Sequence, residues 1–389
     1  MRYYIIAGEA SGDLHGSNLM KGIYIEDPDA EIRFWGGDLM KEVYEKNSKP
    51  EHSTHGGLVR DYKEGAVMGF VEVLKMAKKL LGNVKMCKED ILTFNPDAVI
   101  LIDYPGFNFK IAHFAHKQGY KVFYYIAPKV WASREGRIKK LRNDVDKLFI
   151  IFPFEIPYFE KKEIPFIYKG NPLVDSIADS RAMNETREDF IRRNNLEDKP
   201  IIAMLAGSRK GEINTMMPVL TKFADKMKSL PEYADYQFIV AGAPSRKIED
   251  YSKWEDKNIK VLFNETQSII RFSQAAVVNS GTASLETVLF NTPQVVGYIS
   301  GSKLSYEIAK RIIKVKYISL GNLILDKLAF KELIEDDCNP DALVAEIRAL
   351  IEDMNYRKKM LDDYKEIQTR LGKKGASQAI ASAMIRLLK

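Results

Sequence analysis

The chain has 389 residues, 46% of them apolar, which is enough for two domains with real cores and excludes a lone small binding module. Its formal net charge of +6 argues weakly for an anionic partner and not specifically for nucleic acid. Two distant cysteines, Cys87 and Cys338, exclude a disulfide scaffold and lack the paired spacing of a zinc site.

The first strand-like run, residues 3 to 7, starts almost at Met1, so no charged and apolar leader fits before it and the chain reads as cytoplasmic. It enters Gly8-Glu9-Ala10-Ser11-Gly12-Asp13, a small-residue turn that opens a helix. Residues 65 to 86 carry more apolar surface than one core stripe needs: Val67, Phe70, Val71 and Leu74 form a face, while Val73, Met76 and Leu80 spill round its side. With Lys75, Lys78 and Lys79 alongside, this suits an interfacial helix on anionic lipid, and equally a core helix with a solvated lysine edge. The longest apolar runs, such as 98 to 102, have strand length and fall far short of the roughly 20 residues that span a bilayer. That strand delivers Asp103 to its carboxyl end, where a carboxylate can deprotonate a hydroxyl; Glu9 competes for the same role. Strands at 121 to 126 and 147 to 152 flank a basic helix from Trp131 to Arg142, which reads as a solvated face or as a bed for an anion.

A hinge is expected near Gly170 to Ala182, followed by one exposed helix from Ser180 to Asn195. The second half then echoes the first. The strand at 200 to 206 enters Gly207-Ser208-Arg209-Lys210-Gly211-Glu212, and further strands follow at 236 to 241, 259 to 263, 275 to 278 and 293 to 298. Strands alternating with helices imply parallel sheets, and the fold class expected is α/β: two Rossmann-like, doubly wound domains facing a cleft, with ligands at the carboxyl ends of the strands. The tail from Pro340 to Lys389 is helical by pattern. The division expected is 1–175, 176–365 and a last helix in 366–389 that packs back on the first domain.

Neither glycine turn fits the dinucleotide or Walker A pattern, so each is either a phosphate cradle or a tight connection. Arg209, just after Gly207 and Ser208, is well placed to pair with a diphosphate. After the strand at 275 to 278, Ser280-Gly281-Thr282-Ala283-Ser284-Leu285-Glu286 opens a helix whose amides suit a diphosphate and whose Glu286 suits ribose hydroxyls; a plain Ser/Thr-capped helix reads the same way. Asp27-Pro28-Asp29 and Asp144-Val145-Asp146 match the spacing of metal-dependent sugar transferases but lie away from the carboxyl end of a strand. His113 and His116 share a helical face without a third ligand in sequence. No catalytic metal and no cofactor is expected.

As an ordered set, Gly8 to Asp13, Ala66-Val67-Met68-Gly69, Ile102-Asp103 with Pro105, Pro128 with Val130-Trp131-Ala132, Pro153-Phe154-Glu155, Gly207-Ser208-Arg209 with Glu212, Ser280 to Glu286, and Tyr317 to Leu320 with Asn322-Leu323 resemble the lipid-A-disaccharide synthase family. The resemblance covers essentially the whole chain. It implies a GT-B fold and metal-independent, inverting transfer from UDP-2,3-diacylglucosamine to 2,3-diacylglucosamine 1-phosphate, releasing UDP. The expected catalytic residues are Asp103, Glu9 and Arg209, with the base left open between the two acids. Donor-binding residues are Ser11, Gly207, Ser208, Ser280, Gly281, Thr282, Glu286 and Asn322. The last of these belongs to the C-terminal region that two protomers exchange in this family, which implies a swapped homodimer in which Asn322 completes the partner's nucleotide site. Lipid contact falls to Val67, Met68, Phe70, Val71, Leu74, Lys75, Lys78 and Lys79, implying peripheral association with the inner face of the inner membrane. Departures from the family pattern include Ala206 where proline is common and Asn171 where histidine is. Two relatives by function class stay open: a UDP-N-acetylglucosamine 2-epimerase, and another GT-B transferase using UDP-N-acetylglucosamine. The epimerase, acting on a soluble sugar, has no use for an over-apolar helix.

Overall fold

The computed structural model describes residues 1–52, 55–65, 72–132, 135–244, 246–254, 259–301 and 315–389, with the side chains at 65 and 72–79 outside the description. The chain divides into two compact units, Met1–Ser176 with Gly372–Lys389, and Ile177–Leu371.

The first unit is built on seven parallel strands: β1 (Arg2–Ala7), β2 (Glu31–Gly36), β3 (Gly57–Asp61), β4 (Ala98–Ile102), β5 (Lys121–Tyr125), β6 (Lys147–Ile150) and β7 (Phe166–Tyr168), in the order β3-β2-β1-β4-β5-β6-β7. The winding reverses between β1 and β4, which is where doubly wound sheets open a crevice at their carboxyl ends. Both faces are covered, so the central strands are apolar throughout rather than alternating. Tyr4, Ile6, Val99 and Leu101 face one core with Val84, Cys87 and Ile91 of the helix Glu72–Phe94. Tyr3, Ile5, Ile100 and Ile102 face the other, with Leu19 and Ile23 of the helix Ala10–Glu26.

That second core also takes Ile380, Ala381, Met384 and Ile385 of the last helix, Ala376–Arg386. Each of the three larger side chains contributes roughly 1.5–3 kcal/mol by burial. Gly22 lets the two helices close up, since a Cβ there would stand 3.0 Å from the Cβ of Ala381. Asp175 caps the last helix, accepting from Gly375 N at 2.6 Å and Ser377 N at 2.7 Å.

The second unit holds six parallel strands: β8 (Ile201–Leu205), β9 (Gln237–Gly242), β10 (Ile259–Phe263), β11 (Ala275–Asn279), β12 (Gln294–Tyr298) and β13 (Glu332–Ile334), in the order β10-β9-β8-β11-β12-β13. Its switch point lies between β8 and β11. Four strands escape the sequence reading: β2, β3, β7 and β13. β3, β7 and β13 are sheet edges and β2 adjoins one; charges interrupt β2, β3 and β13, and β7 has only three residues, so none forms a long apolar run.

The single helix expected over Ser180 to Asn195 is two short ones, Arg181–Asn184 and Arg187–Arg193. The break is chemical. Thr186 caps the second helix by accepting from Asp189 N at 3.1 Å, and Glu185 is drawn to Arg193 at 2.5 Å. Arg193 and Arg181 also both hold the buried Glu265, at 2.8 and 2.6 Å.

Candidate functional site

In the first unit, Ala7 pairs with Ile102, so the residues that follow, Gly8-Glu9 and Asp103-Tyr104, leave the sheet side by side. Asp103 and Tyr104 both take left-handed backbone conformations, φ 41° and 46°, and Ile126 beyond β5 does so at φ 64°. For a β-branched residue this is a strained state that surrounding structure must impose, and such states gather at functional sites. The imposing bonds are visible. Asp103 N donates to Tyr125 O at 3.1 Å and Ile126 N to Phe149 O at 2.9 Å. The Asp103 carbonyl accepts from the Tyr124 hydroxyl at 2.6 Å and from Asn108 Nδ2 at 2.8 Å, while Asn108 also reaches Ile102 O at 3.2 Å. Gly8 is required here, because any Cβ would stand inside the Tyr104 ring.

Burial pushes the Asp103 carboxyl up to about 6, with the Glu9 charge raising it further and Lys129, the Tyr104 N–H and Arg137 opposing. A carboxylate poised there is mostly ionised at neutral pH yet basic enough to take a hydroxyl proton as its C–O bond forms. Glu9 is exposed, as is Ser11 close by. Asp13 of the same motif is buried and structural: it accepts from the backbone N–H groups of Gly37, Leu39 and Met40 at 2.8, 3.1 and 3.1 Å, holding the start of the helix Asp38–Asn47.

Beyond the end of β6, Glu155 is 1% exposed and accepts from Trp131 Nε1 at 3.1 Å, Ile151 N at 3.3 Å and Phe152 N at 3.0 Å. Burial pushes its carboxyl up to about 7 against those donors. It ties the Pro128 to Ala132 segment to the sheet.

In the second unit, Leu205 pairs with Val278, which brings the turn after β8 next to the turn after β11. Gly207 has φ +100°, and a Cβ on it would meet Glu212 Oε2 at 2.5 Å and Asn279 Nδ2 at 2.7 Å. Glu212 turns back on the start of its own helix, Lys210–Lys228, and accepts from Ser208 N at 3.0 Å and Arg209 N at 3.2 Å. An internal carboxylate thus occupies two amides that suit an anion. Across from it Ser280 N donates to Gly297 O at 3.0 Å and its hydroxyl to Ile318 O at 3.0 Å, so the unclaimed amides begin with the residues after Ser280, at the start of the helix Thr282–Leu289. The partly buried Glu286 has its carboxyl pushed up to about 7 by burial. Asn279, 5% exposed, has no hydrogen-bond partner for its side chain among the described residues.

The structure therefore gathers Glu9, Ser11 and Asp103 at one switch point, and Gly207, Ser208, Arg209, Ser280, Gly281, Thr282 and Glu286 at the other. Asn322 is fully buried: it gives Nδ2 to Phe330 O and Glu332 Oε1 at 2.9 and 2.8 Å and takes Ala329 N and Phe330 N on Oδ1 at 2.8 and 3.3 Å. Val67, Met68, Phe70 and Val71 lie outside the described residues, as do the side chains of Leu74, Lys75, Lys78 and Lys79 on the helix Glu72–Phe94. The two DxD pairs serve local structure: Asp27 binds the amino terminus and Tyr3, Asp29 pairs with Lys49, Asp144 meets His113 and Asp146 meets Lys121. Sequence reasoning missed the roles of Tyr124, which reaches Asp103 across strands, of Asn108, which reaches back from a helix, of Glu332, whose partners lie in another segment, and of Asn279. Asn279 alone carried a signal, as a polar residue closing an apolar strand.

Two doubly wound units with acids and glycine turns at both switch points have the GT-B architecture. The profile of a family described as lipid-A-disaccharide synthetase matches residues 3–385. A protein named lipid-A-disaccharide synthase from Geobacter metallireducens is 34% identical over 391 residues, covering 100% of this chain and 97% of its own. Another of that name, from Syntrophus aciditrophicus, is 34% identical, covering 99% and 97%. The UDP-GlcNAc 2-epimerase of Neisseria meningitidis, solved bound to UDP-GlcNAc, shares the fold at a TM-score of 0.68 and 12% identity, over 99% and 100% of the two chains. The chain belongs to the lipid-A-disaccharide synthetase family and is a glycosyltransferase of lipid A biosynthesis.

Proposed function

We propose that the chain transfers a 2,3-diacylglucosamine unit from UDP-2,3-diacylglucosamine to 2,3-diacylglucosamine 1-phosphate with inversion, releasing UDP. The observation that carries the residue assignment is Asp103: an acid at a switch point, in a backbone conformation held by three hydrogen bonds, with its carboxyl at about 6. Asp103 takes the proton of the acceptor 6-hydroxyl as that oxygen attacks the anomeric carbon. The bond from that carbon to the diphosphate oxygen breaks, and the electron pair leaves with UDP. Arg209 and the amides after Ser280 stabilise the departing charge, while Glu286 accepts from the ribose hydroxyls. These groups supply the positive charge the step needs, so no metal ion is called for.

In this reading the first unit holds the acceptor and the second the UDP-sugar. Glu9 orients the acceptor beside Asp103. Peripheral contact with the inner face of the inner membrane falls to the segment from Val67 to Lys79. Its continuation favours this: Leu81 is 61% exposed on the helix Glu72–Phe94, an apolar side chain with no core to enter. Among the described residues no helix is long and apolar enough to cross a membrane. A C-terminally exchanged homodimer belongs to the reading on the family resemblance alone.

The test is a pair of variants, Asp103→Ala and Arg209→Ala, checked for folding by circular dichroism. Each is expected to lose at least ~100-fold in turnover. Turnover at the parent rate in both contradicts the site.

A further inference from the structure

Glu332 opens the edge strand β13, opposite Val296 of β12, and its carboxylate turns toward the short segment Tyr317-Ile318-Ser319 rather than toward solvent. Its Oε2 accepts from Ile318 N at 3.0 Å. Its Oε1 accepts from Ser319 N at 3.0 Å, from the Ser319 hydroxyl and from Asn322 Nδ2 at 2.8 Å. Ser319 and Asn322 are both fully buried. Asn322 in turn uses both amide hydrogens and both oxygen lone pairs inside this unit, stitching the helix Leu320–Leu325 to the chain at 329–332. One carboxylate with four donors therefore fixes where the backbone at 318 and 319 lies. The carbonyl of Ile318, made rigid in this way, is the acceptor for the Ser280 hydroxyl at 3.0 Å. Ser280 is pinned on its other side by its own N–H on Gly297 O.

We propose that Glu332 is a positioning residue for nucleoside-diphosphate binding: through Ile318 it sets Ser280, and through Ser280 it sets the amides that follow at the start of the helix Thr282–Leu289. The inference rests on the reading of that turn as the donor site. Glu332 touches no substrate. A charge-assisted acceptor shared by two backbone N–H groups holds a turn more firmly than a neutral one. Glutamine cannot replace it, because its Nε2 would face one of the N–H donors that the second carboxylate oxygen now accepts.

The experiment is UDP binding by calorimetry, with steady-state KM for donor and acceptor, on Glu332→Gln, Ser280→Ala and the double variant. Ser319→Ala, which removes one donor to the same carboxylate, serves if the glutamine variant does not fold. Expected is a loss of UDP affinity of about tenfold in each single variant, a rise in donor KM with acceptor KM unchanged, and a double variant no weaker than the weaker single one. A merely structural Glu332 lowers the thermal midpoint and leaves UDP affinity of the folded protein intact. Parent-like UDP affinity on losing Glu332, with Ser280→Ala weakened, overturns the inference and leaves the donor site standing; so do additive losses in the double variant. Parent-like affinity in Ser280→Ala overturns the donor-site reading and this inference with it.

Discussion

Glu212 holds Arg209 at both ends: one carboxylate oxygen accepts from the Arg209 backbone N–H at 3.2 Å and the other from its guanidinium Nη1 at 3.2 Å. The same carboxylate accepts from Ser208 N, so it caps the helix Lys210–Lys228 and aims the cation at once. Glu212→Ala is expected to cost ~1 kcal/mol of stability through the lost cap, a fall of a few degrees in thermal midpoint. Its turnover is expected to fall further than that destabilisation explains, since Arg209 loses its anchor. Arg209→Lys, which keeps charge but not the planar fork, is expected to lose at least ~10-fold in kcat/KM. Parent-like kinetics in both, measured beside thermal melts, contradict the coupling.

Asp103 acts as a base only when ionised, so activity is expected to fall as pH drops through about 6, the value to which burial and Glu9 push its carboxyl. The limb is expected to disappear in Asp103→Asn together with at least ~100-fold of turnover. Tyr124→Phe removes the 2.6 Å bond to the Asp103 carbonyl and leaves the Asn108 bond to hold it. That variant is expected to lose ~0.5–1.5 kcal/mol of stability. A pH–rate profile with no acid limb near 6 removes Asp103 as the base.

Gly8→Ala places a methyl group where the Tyr104 ring stands. The ring must move, and Asp103 is its chain neighbour in the same left-handed stretch. The expected cost is ~1–3 kcal/mol of overpacking, with a loss of turnover exceeding that of Gly106→Ala, where a Cβ meets nothing within 4 Å. Equal kinetics in the two alanine variants contradict this.

Glu155 links stability to pH. Its carboxyl is raised from 4.5 to about 7 in the folded chain, so its favourable contribution is complete below 4.5 and is lost as pH rises through about 7. Glu155→Gln cannot ionise. The stability advantage of the parent over this variant is therefore expected to shrink between about pH 5 and about pH 8, read as the difference in thermal midpoints. A difference independent of pH contradicts the buried, titrating carboxyl.

The strands that frame both switch points were legible because parallel strands buried on both faces are continuous apolar runs: β1, β4, β8 and β11 carry five or six buried or nearly buried residues each. The acids that follow them could be placed at the carboxyl ends for the same reason. β13 could not be read, being three residues long and opening on a charge, and with it went Glu332. The roles of Tyr124 and Asn108 were hidden for a different reason. Their hydrogen bonds to Asp103 run between neighbouring strands or back from a helix, and no periodicity in sequence encodes such a pairing. Asn322, which the resemblance assigns to the nucleotide site of a partner protomer, spends its hydrogen-bonding groups within its own unit, stitching a helix to β13.

The central claim is that this chain joins two acylated sugars using its own side chains. The direct measurement is UDP release by purified protein from UDP-2,3-diacylglucosamine, with and without 2,3-diacylglucosamine 1-phosphate, in detergent containing EDTA. The account predicts release that depends on the acceptor and persists in EDTA, with a disaccharide 1-phosphate as product. Turnover of UDP-N-acetylglucosamine with no response to either lipid contradicts it.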